Sequence, residues 1–151
     1  LALAKAAGAD GMVGGQMLDI EAENSGFASY SAIAHMQSLK TGALFRFACE
    51  AGAVLAQEDS TPLRHYADSV GLAFQIADDI LDVESSAATL GKATQKDHSK
   101  GKSTFVDLLG LEGAKREAQR LVDDACLAVE TYGEKANMLK ATAQFIIDRR
   151  K

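Results

Sequence analysis

Phe74-Gln75-Ile76-Ala77-Asp78-Asp79-Ile80-Leu81-Asp82 sets three carboxylates into an apolar helical pattern. Residues four apart share a helix face, so Asp78 and Asp82 project to one side, with Asp79 three before Asp82 beside them. Bare like charges at this spacing repel, and a helix that carries them usually offsets the cost with a cation. Carboxylate oxygens on adjacent turns suit a hard ion such as Mg2+, which keeps several waters and takes further ligands from phosphates. A solvated acidic face would show the same letters. The flanks weigh against that reading, because Phe74, Ala77, Ile80 and Leu81 predict a helix that packs on one side.

The helix around this stretch is expected to start at Thr61-Pro62, an N-cap followed by proline at the first helical position, and to run to about Val83. Its buried stripe is Leu63, Tyr66, Val70, Phe74, Ala77 and Leu81. Residues 84–103 then form the longest irregular stretch. They carry Lys92, Lys96, Lys100 and Lys102 against the single acid Asp97 beyond Glu84. A basic loop directly after an acidic helix is physically coherent: the acids suit a metal ion and the lysines suit phosphate oxygens that bridge to it. A solvated charged loop is the plainer alternative.

Upstream, an Ala-rich helical stretch over residues 1–9 leads into Gly8, Gly11, Gly14 and Gly15. Glycine costs about 1 kcal/mol relative to alanine inside a helix, so this density implies a loop, or close packing and a bend near a ligand. Gln16 and Asp19, three apart, share a face. Residues 21–31 read as a polar connection. A helix with a 3.6-residue stripe follows, from about Ser29 or Ser31 to about Leu55, and Lys40-Thr41-Gly42 interrupts it. Taken alone, Lys40 reads as a surface lysine lying along apolar neighbours. Gly42 directly after Thr41 permits a kink that frees a backbone carbonyl. Downstream come a short apolar segment (105–111), an amphipathic helix (112–131) and a last helix (135–149). The chain ends Arg149-Arg150-Lys151, cations that a helix C-terminus favours on its own account.

The 151 residues fit one domain, and 47% apolar with 25% charged residues is globular composition. One proline and few strand-like runs point to helix. A net charge of -5 gives nonspecific nucleic-acid binding no electrostatic support. No apolar run reaches the roughly 18–20 residues that a membrane span needs, and the start at Leu1 has no signal-peptide pattern. Cys49 and Cys126 are solitary in helical patterns, which predicts buried thiols in a reducing cytoplasm.

Gly71 to Asp82 resembles the second aspartate-rich motif of the trans-isoprenyl diphosphate synthases, and the chain is most similar to the bacterial farnesyl diphosphate (geranyltranstransferase) branch. Gly14-Gly15-Gln16, Lys40-Thr41-Gly42, Gly91-Lys92 and Gly101-Lys102-Ser103-Thr104 match in the same order. The sequence departs from the family at Gln95, where Gly is usual, and at Phe105-Val106, where Tyr-Pro is common.

The resemblance implies an all-α helical bundle of the isoprenoid synthase type, with residues 1–151 as the carboxy-terminal part of one synthase domain. It implies Mg-dependent head-to-tail condensation of an allylic diphosphate with isopentenyl diphosphate. Asp78, Asp79, Asp82 and Asp19 would serve the metal, and Lys40, Lys92 and Lys102 the diphosphate. The Lys40 carbonyl, the Thr41 hydroxyl and the Gln75 amide would face the allylic cation. Gln16 and Phe74 would line the cavity. Arg149, Arg150 and Lys151 are a possible tail over isopentenyl diphosphate. The complete protein is expected to be a cytoplasmic homodimer. The first aspartate-rich motif is absent, since Asp123-Asp124 lacks the further Asp, so this chain alone is expected to be inactive. A class I terpene cyclase also pairs acids with Mg2+, but the Lys-Thr-Gly and Gly-Lys blocks argue against it. A longer-chain prenyl synthase, or a non-catalytic diphosphate-binding helical subunit, fits the same motifs.

Overall fold

The computed structural model describes residues 1–25, 29–89 and 103–149. Among them there are helices and no strands, as expected. In chain order the helices are α1 (Ala2–Ala7), α2 (Met12–Ser25), α3 (Tyr30–Gln37), α4 (Ala43–Ala56), α5 (Thr61–Thr89), α6 (Phe105–Leu109), α7 (Leu111–Ala128) and α8 (Asn137–Asp148). A π-helical turn, Ser38–Gly42, joins α3 to α4, and a 3-10 stretch, Glu130–Ala136, precedes α8.

Two expected boundaries move. Residues 21–25 continue α2 rather than opening a polar connection, and residues 84–89 continue α5 beyond Val83. Both extensions are strings of Glu, Ala, Ser and Asn or Thr without Gly or Pro. Such residues carry no periodic signal, yet they propagate a helix already nucleated at small cost. Lys92, Lys102, Arg150 and Lys151 lie outside the described residues.

The organising helix is α5. Its start is fixed locally: the Asp59 carboxylate accepts the Thr61 N–H at 2.9 Å, and the Ser60 carbonyl accepts from Arg64 N–H. Pro62 sits in the first turn, where its missing N–H costs nothing. Tyr66, Ala67, Val70, Ala73, Ile76, Ala77 and Ile80 are buried. That is more than one stripe, as suits a helix with neighbours on several sides. Phe74 and Leu81, placed in the predicted stripe, lie at its half-buried edge. Against α5 runs α7, which buries Ala114, Ala118, Leu121, Val122 and Ala125. Alanines at the buried faces of both helices let the backbones approach closely. α3, α4, α6 and α8 complete the surround, with Ile33, Phe105, Ala143 and Ile146 in the same core.

Other apolar side chains face outward. Val13, Met17 and Ile20 on α2 are about half exposed or more and recur at i, i+4 and i+7, which makes an open stripe. Cys49 and Cys126 are half-buried free thiols, and burial raises the pKa of both.

Tyr66 ties α5 to α8: its hydroxyl donates to the Leu139 carbonyl at 2.8 Å, and the side chain is fully buried. Burial pushes the phenol up to about 12. The neutral form is therefore favoured by folding. The stability this provides is complete below about pH 10, the ordinary tyrosine value, and is lost as pH rises through about 12. Tyr66→Phe removes this hydrogen bond while the Leu139 carbonyl stays within the α8 helix, and thermal unfolding is expected to show a loss of about 0.5–1.5 kcal/mol at pH 8. The mutant's stability should fall less than the wild type's between pH 10 and 12.

Candidate active site

The site is built around the π turn Ser38–Gly42, which lies where the sequence predicts a kink. α3, the turn and α4 are continuous helix, so the interruption is an expanded turn inside one rod. A π turn leaves carbonyls short of their i+4 partners, and such turns recur at functional sites. Gly15 sets its close approach to α2. A Cβ on Gly15 of α2 would stand 2.1 Å from the Lys40 nitrogen and 2.5 Å from its Cα, so α2 meets the turn backbone to backbone. On the other side, a Cβ on Gly71 of α5 would come within 3.5 Å of the Gly42 Cα. Of the glycine-dense stretch, Gly15 is thus close packing between elements, whereas Gly8 and Gly11 lie in the loop between α1 and α2, so each reading the sequence left open holds for part of it.

Lys40 is no surface lysine. Its Nζ donates to Asp19 Oδ2 at 2.7 Å, and Asp19 is buried. The structure therefore joins one residue expected at the diphosphate to one expected at the metal. Thr41 Oγ1 reaches Gln37 Oε1 at 3.5 Å, within the same turn. Gln16, by contrast, is exposed on α2.

The three acids of α5 part company. Asp79 turns toward α6, where its Oδ2 accepts the Phe105 N–H at 2.9 Å. Burial is the largest influence on it and raises its pKa to about 6; the hydrogen bond from Phe105 opposes this, and the charges of Asp82, Asp78 and Asp107 add to it. α6 has its own capping box, with Thr104 Oγ1 accepting the Asp107 N–H at 3.1 Å and Asp107 accepting the Thr104 N–H at 2.8 Å. Thr104-x-x-Asp107 is legible in the sequence as a helix start, although its place beside Asp79 is set by the tertiary structure. Asp78 and Asp82 stay on the open side, Asp82 exposed and Asp78 partly so. Among the described residues, no three His, Cys, Asp or Glu side chains come together in a metal-binding cluster.

Asp78 is paired with Arg149. The guanidinium Nη2 donates to Asp78 Oδ1 and, at 3.3 Å, to the Phe74 carbonyl, and it lies over the Phe74 ring at 4.2 Å from the centroid. The ring packs in turn on Phe45 of α4, with centroids 5.7 Å apart. Phe74 is thus the floor on which the arginine rests rather than a simple wall residue. Gln75 is half-buried one turn before the acids.

The sequence profile described as Polyprenyl synthetase matches residues 4–144. The chain belongs to that family. It is 44% identical to the farnesyl diphosphate synthase of Escherichia coli (strain K12), over 99% of this chain and 52% of that protein. An apo crystal structure of an FPP/GFPP synthase from Zymomonas mobilis superposes with a TM-score of 0.81 at 44% identity, covering 96% of this chain and 48% of the other. The Helicobacter pylori geranyltransferase, solved with magnesium and isoprenyl diphosphate, gives 0.73 at 28% identity, covering 97% of this chain and 49% of the other. The chain thus spans about half the length of the relatives it matches. The synthase family and its all-α fold, expected from the motifs, are confirmed.

The backbone contact at Gly15 predicts a sharp contrast between two substitutions. Gly15→Ala must push α2 off the π turn and is expected to cost at least about 1–3 kcal/mol, as overpacking does. Gly52→Ala, in α4 with nothing within 4 Å of the new Cβ, is expected to stabilise by up to about 1 kcal/mol. Denaturant unfolding of both variants checks the pair.

Proposed function

We propose that this chain carries the second-motif half of a prenyltransferase site. That site would make a short-chain isoprenyl diphosphate, farnesyl diphosphate, by condensing an allylic diphosphate with isopentenyl diphosphate. The observation that carries the reading is the π turn, which sets Lys40 beside a buried acid within the same bundle as the Asp-Asp-x-x-Asp helix. Family membership and the 44% identity to a farnesyl diphosphate synthase support the substrate class.

The donor set fits Mg2+. Asp78 and Asp82 offer hard oxygens on adjacent turns of an accessible face, and one of them already holds a cation, the Arg149 guanidinium. Asp79 and Asp19 complete the acids proposed to serve the metal. When bound, Mg2+ would neutralise charge on the departing diphosphate. The chain's own groups do the rest. Lys40 places a positive charge at the same oxygens, with Lys92 and Lys102 from the basic loop. The Lys40 carbonyl, the Thr41 hydroxyl and the Gln75 amide oxygen aim dipoles at the allylic carbon. The C–O bond to diphosphate breaks, the isopentenyl double bond forms the new C–C bond, and the proton leaves to the released diphosphate. The rest of the synthase domain would supply the first aspartate-rich motif and the isopentenyl diphosphate site. The proposal includes a cytoplasmic homodimer; no described helix is long and apolar enough to cross a membrane.

In the full-length synthase, Asp78→Asn is expected to lower the prenyl-transfer rate by about 10²–10³. Asp124→Asn, whose carboxylate pairs with Arg120 on an exposed face of α7, should leave the rate nearly unchanged. Equal effects would remove Asp78 from the metal site.

Arg149 and the metal compete for Asp78 in this reading. A partly exposed ion pair is worth about 0.5–1 kcal/mol. Arg149→Met is therefore expected to lower the Mg2+ concentration for half-maximal activity by about two- to fivefold. A magnesium titration of the initial rate reads this directly.

A further inference from the structure

Arg46 lies outside every matched motif, yet it reaches the π turn. It sits on the first turn of α4, four residues after Gly42. Its Nη2 donates to the Ser38 carbonyl at 3.3 Å. Ser38 opens the π turn, so this is a carbonyl at the point where the helical ladder is rearranged. The same nitrogen would stand 3.8 Å from a Cβ on Gly42, which puts the guanidinium over the turn's last residue. The Nε lies 2.7 Å from Asp68 Oδ1 on α5 as a charge contact, without the geometry of a directed hydrogen bond. One side chain therefore bonds the first residue of the turn, lies beside its last residue and meets the helix behind it.

We propose that Arg46 is a positioning residue: it props the π turn from the face opposite Lys40 and so fixes where the Lys40 ammonium and the Thr41 hydroxyl point. The kinetic part of this inference rests on the prenyl-transfer reading above. A π turn needs such a prop, because the expanded ring can relax to an ordinary α turn by shifting one residue of register. That shift would swing Lys40 and Thr41 by roughly a quarter of a helical turn. Gly15 leaves room for the turn without bonding it; Arg46 supplies a directed bond. A control is built into the same seam. Glu50 and Arg64 also join α4 to α5, with Nε 2.7 Å from Oε1, but Arg64 makes no bond to the turn.

The test compares Arg46→Met, Asp68→Asn and Arg64→Met in the full-length synthase, by hydrogen exchange and by steady-state kinetics. Amides of residues 39–43 are expected to exchange at least about tenfold faster in Arg46→Met and less so in Asp68→Asn. In Arg64→Met they should match the wild type. With an allylic diphosphate as the varied substrate, kcat/KM is expected to fall about ten- to a hundredfold in Arg46→Met, the usual scale for a displaced catalytic group. In Arg64→Met it should stay within about twofold. Should Arg46→Met fail to fold, Asp68→Asn keeps both readouts. Equal exchange at residues 39–43 in the Arg46 and Arg64 variants, or faster exchange with unchanged kcat/KM, overturns the inference. A wild-type protein with no prenyl transfer overturns the functional reading instead, and the exchange data still decide the role of Arg46.

Discussion

The backbone contact between Gly15 and Lys40 is the constraint on which the rest of the site depends. An α helix is about 10 Å across with its side chains, and two helices normally meet through them. Here α2 and the π turn meet through main chain, because Gly15 has nothing to interpose. That closeness lets Asp19, one turn after Gly15 on α2, reach Lys40 Nζ at 2.7 Å while buried. On its other side the turn meets α5, where a Cβ on Gly71 would stand 3.5 Å from the Gly42 Cα, an ordinary contact distance. Three helices are thereby drawn to one point, and the acids of α5 lie two to three turns along from it.

Much of this was legible in the letters. The apolar periods gave the location of α5, α7 and α8, because a helix with one buried face must show a 3.6-residue repeat, and the family resemblance implied the all-α bundle. The motif blocks gave the family. Gly42 after Thr41 marked the interruption, although the expanded turn itself is set by tertiary packing that no local pattern encodes. The extensions of α2 and α5 were hidden, because polar helix without a buried stripe looks like loop.

Side-chain partners were the least legible. Nothing at Asp79 distinguishes it from Asp78 in sequence; the difference is that α6 begins beside one and not the other. Arg149 looked sufficiently explained as a cation at a helix end. Yet it lies 71 residues beyond Asp78, a separation at which no spacing rule applies. Arg46 belongs to none of the matched blocks, and no spacing in the sequence marks it. In each case the chemistry depends on which helix ends face each other, and that is a property of the assembled bundle.

Two of the acids proposed for the metal are paired with cations of the chain itself. Asp19 holds Lys40 and Asp78 holds Arg149, so in each pair a group proposed for the metal neutralises one proposed for a diphosphate. The two pairs differ in what separating them costs. Asp78 is partly exposed, and water can replace much of what Arg149 provides, so exchange of the guanidinium for a metal is nearly balanced. Asp19 is buried, and taking the ammonium away from a buried carboxylate is expensive. The Lys40 pair is therefore the harder of the two to separate, and the Arg149 pair the easier. In the proposed reaction, the lysine sets the position of the diphosphate, and the arginine is the cation that gives way.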